Sequence, residues 1–231
     1  MNTASKAALG VAALFAAFSG GFAIRPFVDQ DRDPVRSSQG GGDAASSDLA
    51  YYASRNSHFE EMRTAGPVVF LGDSRIEGAE WSELIGFFIS NRGIKGDTTK
   101  GVRDRLQSSV PAGTKICLVE VGLNDLSAGV PPDRVAANLA AIAKAAKAKA
   151  GRVIVASIIP TAASSADLNA SIAEANARAS ALVKEAGAEW LDLSPVFGSE
   201  LPAKLSSDGI QLTGAGYRGL VFPILEAVKG P

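Results

Sequence analysis

Five short apolar runs punctuate this chain, and each breaks off into a turn of small or polar residues. They lie at residues 68–73, 87–91, 116–121, 153–159 and 190–193. Short apolar runs bounded by turns suit strands buried on both faces, which is how the strands of parallel sheets read. Between them the periodicity changes. Val135, Leu139 and Ile142 recur at helical spacing behind Pro132 and Asp133, a good helix start. Leu168, Ile172, Ala175, Ala179 and Leu182 form a second stripe, stopped by Gly187, and residues 213–228 read as a closing helix. Strands alternating with helices through short connections imply an α/β fold, a three-layer αβα sandwich around a five-stranded parallel sheet.

The region before these runs has a different character. After Lys6, residues 7–24 are uncharged and rich in Ala, Leu, Phe and Gly, and Arg25 and Pro26 close them. A basic start followed by an apolar segment marks export. Two outcomes stay open for residues 1–25: cleavage after Ala23, or retention as an anchor in the inner membrane, since spanning needs about 17–25 apolar residues. Residues 26–48 are rich in Asp, Ser and Gly and read as a flexible linker, leaving 49–231 as the folded domain. A tether behind an export segment places the domain outside the cytoplasm, in the periplasm or on the membrane.

The formal net charge of the 231 residues is −1, so no basic field exists to attract nucleic acid. The single cysteine, Cys117, lies inside an apolar run and reads as a buried small hydrophobe. There is no His or Cys cluster to suggest a metal and no phosphate-binding glycine pattern to suggest a nucleotide, so no cofactor is implied.

The chemistry-bearing residues fall where the runs end. Ligands of parallel sheets bind beyond the carboxyl ends of the strands. Gly72, Asp73 and Ser74 end the first strand, Gly96 and Asp97 follow the second, and Gly122, Leu123, Asn124 and Asp125 end the third. Asp208, Gly209, Ile210 and Gln211 precede the last helix. A serine opening a helix, a glycine that admits close backbone approach and a neutral amide are the parts of an oxyanion hole.

These residues resemble the four signature blocks of the SGNH, or GDSL, esterases and lipases, from about Gly66 to the end of the chain. The first block stands here as Gly72-Asp73-Ser74-Arg75-Ile76-Glu77-Gly78, the second block's glycine as Gly96, and the third as Gly122-Leu123-Asn124-Asp125. The fourth, Asp-x-x-His in the family, stands as Asp208-Gly209-Ile210-Gln211. The resemblance implies a flavodoxin-like αβα fold and a small acyl or acetyl ester as ligand. It makes Ser74 the nucleophile, with the Ser74 and Gly96 amides and the Asn124 side chain as oxyanion donors. Asp208 is then the carboxylate that would orient a histidine, and Gln211 holds the histidine's place.

That substitution divides the functional expectation. A serine hydroxyl needs a base near neutral pKa to take its proton, and histidine's reference value is about 6.5. A glutamine amide hydrogen-bonds but has no useful proton affinity. The only histidine, His58, lies in an amphipathic stretch at residues 51–63 and is expected at the surface or in packing, away from Ser74. Asp208 acting directly or through a water is a feeble base. The chain is therefore expected to be weakly active or non-catalytic, binding an acyl ligand or a partner. The alternative is an active esterase or deacylase on acylated carbohydrate or lipid, with an unrecognised base. Asp73 and Asp125 are expected to fix their turns, Arg75 and Arg92 to form turn-supporting ion pairs, and Trp81 and Trp190 to pack.

Overall fold

The structure, a computed structural model, describes residues 42–62 and 66–230. The expected export segment and residues 26–41 of the expected linker lie outside them, and among the described residues no helix is long and apolar enough to cross a membrane.

Helix α1 (Gly42–Glu61) precedes β1 (Val68–Gly72), the short helices α2 (Ser74–Glu77) and α3 (Trp81–Ile85), and β2 (Ser90–Gly93). Helices α4 (Thr99–Asp104) and α5 (Leu106–Ser109) lead to β3 (Thr114–Glu120), followed by α6 (Leu123–Ser127) and α7 (Pro132–Lys147). Then come β4 (Ala150–Ala156), α8 (Ala166–Glu185), β5 (Glu189–Leu191), α9 (Ser194–Phe197) and α10 (Gly214–Lys229). All neighbouring strands are parallel, in the order β2-β1-β3-β4-β5. The expected five-stranded αβα sandwich is thus the fold.

Alternation along the central strands sorts the core into two layers. Val69 and Leu71, Cys117 and Val119, and Val153 and Val155 face Leu139 and Ile142 of α7 and Ile172 and Val183 of α8. Phe70, Leu118 and Ile154 face Trp81, Leu220 and Ile224 on the other side. Trp81 meets Phe70 and Tyr217 edge-on, with ring centroids 5.1 and 5.8 Å away, and its indole N–H donates to Ile76 O at 2.7 Å. Trp190 also packs on the core. Burial pushes the Cys117 thiol up to about 12, which makes it inert as a nucleophile.

Two expectations need correction. The second strand lies at Ser90–Gly93 rather than 87–91, and Phe87 and Phe88 are exposed. This is an edge strand, secured by polar side chains that an apolar search passes over. Ser90 Oγ accepts from Gly66 N at 2.9 Å, and Asn91 Nδ2 donates to the carbonyls of Ile76, Glu77 and Ala79. The linker reading also fails at its end, because residues 42–48 belong to α1. Tertiary docking supports that helix. Phe59 is buried beneath the guanidinium groups of Arg55, Arg92 and Arg105, 5.1, 4.8 and 5.6 Å from its ring centre. Tyr52 of α1 donates to Asp97 Oδ1 at 3.2 Å.

Phe59→Ala removes the apolar contact that docks α1 and leaves three guanidinium groups without their ring. Loss of about 3–5 kcal/mol is expected, the usual cost of truncating a buried Phe. Urea unfolding of the wild type and the variant measures it.

Candidate active site

A strand order of 2-1-3-4-5 has its topological switch between β1 and β3, and clefts of such sheets open there. The register puts Gly72 opposite Gly93 of β2 and Glu120 of β3, so the three strands end level. Gly72 is needed at this edge because any Cβ there would lie 2.0 Å from Glu120 O. Ser74 follows β1, Gly96 follows β2 and Asn124 follows β3. All three block residues therefore emerge at one edge, on either side of the switch.

Asp73 caps α2, its Oδ1 accepting from Arg75 N at 3.0 Å, as expected of a turn-fixing carboxylate. The cap sets Ser74 as the first residue of the helix. Ser74 is partly exposed while Asp73, Arg75 and Ile76 around it are buried. Gln211 reaches it directly: Nε2 donates to Ser74 Oγ at 3.1 Å. Gly96 is exposed with φ +78°, a left-handed conformation that favours glycine, and open space surrounds the place of a Cβ. Its role is thus conformational as much as one of access.

Asn124 joins the second block. Its Nδ2 donates to Asp97 O at 2.7 Å, which uses one of the two amide hydrogens and leaves the other for the cleft. Asp125 does more than fix its own turn. It reaches across to α4, accepting from Thr99 N at 2.8 Å and Thr99 Oγ1 at 2.5 Å. Burial raises its pKa while those bonds oppose the shift.

Asp208 is exposed, and Oδ1 accepts from Ile210 N at 2.9 Å and Gln211 N at 2.7 Å. These two backbone bonds hold its pKa below the ordinary carboxylate value. The carboxylate shapes the turn that presents Gln211, and it makes no bond to the Gln211 side chain. His58 is exposed in the last turn of α1, and its side chain makes no hydrogen bond to any of these residues.

The ion-pair expectation for Arg75 and Arg92 is wrong. Neither forms a salt bridge among the described residues, and both donate to backbone carbonyls. Arg92 Nη2 donates to Met62 O at 3.2 Å, and the guanidinium lies over Phe59. Arg75 serves Ile159, Pro160 and Ile210. The ion pair that supports the site is one the sequence did not suggest. Arg105 Nε meets Asp97 Oδ2 at 2.7 Å, with side-chain exposures of 2% and 1%. The same guanidinium donates to Ser109 Oγ at 2.8 Å and to Gly72 O at 2.9 Å, tying the Gly96–Asp97 turn to the end of β1. Glu120, inside the apolar run 116–121, is also buried, on the sheet face that carries Leu118.

Among the described residues no group of His, Cys, Asp and Glu side chains is arranged to hold a metal. This sheet edge carries the Ser74 hydroxyl with the Gln211 amide touching it, the Asn124 amide and the Gly96 turn, residue types suited to holding a carbonyl oxygen.

Comparison with known proteins agrees with this architecture. Residues 70–218 match the GDSL-like lipase/acylhydrolase family, and the chain belongs to it. Among solved structures, a proposed platelet activating factor from Streptococcus pneumonia is 20% identical with a TM-score of 0.70, covering 78% of this chain and 94% of its own. A proposed acylhydrolase from Bacteroides fragilis is 24% identical with a TM-score of 0.61, covering 78% and 95%. A catalytic mutant of an acetylxylan esterase from Geobacillus stearothermophilus is 16% identical with a TM-score of 0.58, covering 68% and 91%. These likenesses concern the fold. No curated protein sequence matches at a significant level.

Removing either member of the buried pair, by Asp97→Asn or Arg105→Met, leaves its partner desolvated and alone. A loss of about 3–5 kcal/mol is expected for each. In a double-mutant cycle by urea unfolding, the two losses should not add, because both report one interaction.

Proposed function

We propose that this chain is an exported SGNH-type protein whose cleft binds the acyl or acetyl group of an ester without efficient turnover. The observation that carries the reading is the contact from Gln211 Nε2 to Ser74 Oγ at 3.1 Å. In a working serine esterase a base sits at this point and accepts the hydroxyl proton. Here an amide donor occupies it, so the oxygen is already engaged as an acceptor and no group there takes its proton. Asp208 offers no rescue: its lowered pKa weakens it further as a base, and its oxygen Oδ1 is spent on backbone amides. Asp73 is buried beneath the turn and bonded to Arg75 N.

Binding is supported by what the cleft retains. Ser74, the Gly96 turn and Asn124 follow the ends of three adjacent strands at the switch point, and hydrogen-bond donors brought together there would recognise a carbonyl oxygen. Export rests on the apolar, uncharged residues 7–24 behind Lys6.

Gln211→His supplies the one missing group. Hydrolysis of a small activated acetate ester should rise by about 10²–10⁴-fold, the usual contribution of general acid–base catalysis. Adding Ser74→Ala should abolish the gain, and adding Asp208→Asn should reduce it. No gain from Gln211→His would mean that more than the base differs from an esterase.

Wild-type protein should react slowly with a fluorophosphonate, since that reagent requires an activated serine. Rapid labelling at Ser74, read by intact mass, would overturn the non-catalytic reading and reveal another base.

A further inference from the structure

Below Ser74 lies a group of buried charges that the ester-binding reading does not use. Arg75, the residue after the serine, is 2% exposed, and its guanidinium points entirely at backbone carbonyls. Nη1 donates to Ile159 O, Nη2 to Pro160 O and Ile210 O at 3.0 Å each, and Nε to Ile210 O at 3.2 Å. Ile210 directly precedes Gln211. One side chain on the serine's own helix therefore fastens the peptide that presents the serine's hydrogen-bond partner.

The buried cation has no direct carboxylate partner, yet two carboxyls share its layer. Asp73 is 1% and Glu120 3% exposed, and strand pairing sets Glu120 beside Gly72, the residue before Asp73. Asp73 Oδ2 and both carboxyl oxygens of Glu120 have no hydrogen-bond partner in the protein. A cavity of about 10 Å³ is lined by Arg75, Glu120, Trp81 and Leu118, enough for one water. Tyr217 of α10 faces the group from one side, and burial pushes its hydroxyl up to about 12, so it stays neutral. On the other side Asp97 is already neutralised by Arg105.

The charge count then decides the protonation. One guanidinium with two ionised carboxylates leaves a net negative charge buried beneath the cleft, which is strongly disfavoured. One proton brings the group to neutrality and gives one carboxyl an O–H donor. We propose that Arg75 is a positioning residue that fastens Gln211 against Ser74, balanced by an Asp73–Glu120 pair that carries a single proton at neutral pH. Burial raises the pKa of both carboxyls, and for Asp73 the charge of Glu120 adds to the rise, while the Arg75 charge and a nearby backbone amide, Arg75 N–H for Asp73 and Ile159 N–H for Glu120, oppose it. A carboxyl whose folded pKa is raised binds more protons folded than unfolded. Stability from it is present at low pH and falls as pH rises from about 4 through the folded pKa.

The test has two arms, and neither depends on hydrolysis, so its failure is distinct from failure of the ester-binding reading. In the first, the side-chain amide of Gln211 is followed by NMR in the full chain. Arg75→Leu should speed its hydrogen exchange by about tenfold or more while amides of Leu118 and Val155 stay protected. If Arg75→Leu does not fold, Arg75→Lys serves, since an ammonium cannot span three carbonyls and the same acceleration is expected. An unchanged Gln211 amide in the folded variant would overturn the positioning role. In the second, protons released on unfolding at neutral pH are counted from the pH dependence of stability. Wild type should release about one more than Glu120→Gln or Asp73→Asn. It should also show the infrared carbonyl band of a protonated acid, reduced in Glu120→Gln. Equal proton release in wild type and both variants, with no acid band in wild type, would show the pair fully ionised and overturn its role.

Discussion

The buried pairing of Arg105 with Asp97 is the interaction on which the cleft depends. Loops at a sheet edge carry backbone groups that no strand can satisfy, and each must find a partner or lie in water. Arg105 resolves this for the turn after β2 with one rigid fork. It neutralises Asp97, holds Ser109 and caps the last carbonyl of β1 at Gly72. Asn124 from the next strand then closes on Asp97 O. Three separate strand ends become one connected body. A fully buried pair of this kind contributes little net stability, but losing half of it is costly, so it specifies geometry more than it adds energy.

The same device appears again on the other side of the serine. Arg75 gathers carbonyls from the loop after β4 and from the turn before α10, elements 84 and 135 residues away in sequence. Two guanidinium groups thus flank β1, one setting the Gly96–Asp97 turn and one setting the turn that presents Gln211 to Ser74. Planar forks with five donors suit this work better than lysine, whose ammonium meets carbonyls one point at a time. The serine sits between two fixed walls, so the identity of the group at position 211 controls what it can do.

That identity separates pocket from chemistry. A neutral amide lies at hydrogen-bond distance from Ser74 Oγ. It supplies shape and donors but no proton affinity. A fold can be shared with esterases while the chemistry of its site differs, which is the general relation between a fold and the site built on it.

The sequence by itself determined the layers and the sheet edge on which the candidate site lies. Apolar runs and helical stripes are local patterns, and burial on both faces leaves few ways to arrange them, so β1, β3, β4 and helices α7, α8 and α10 were legible. The blocks around Ser74, Gly96 and Asn124 were legible because each follows a strand and carries turn residues. Only the tertiary structure decided the rest. It moved the second strand off Phe87 and Phe88, because an edge strand is held by polar side chains that carry no apolar signal. It began α1 at Gly42, inside the stretch read as linker and ahead of the amphipathic residues 51–63. It gave Arg75 and Arg105 their partners, since carbonyls and carboxylates far apart in sequence leave no spacing to read. Charge pairing across a fold depends on which distant atoms lose their water together, and that is settled only when the chain is packed.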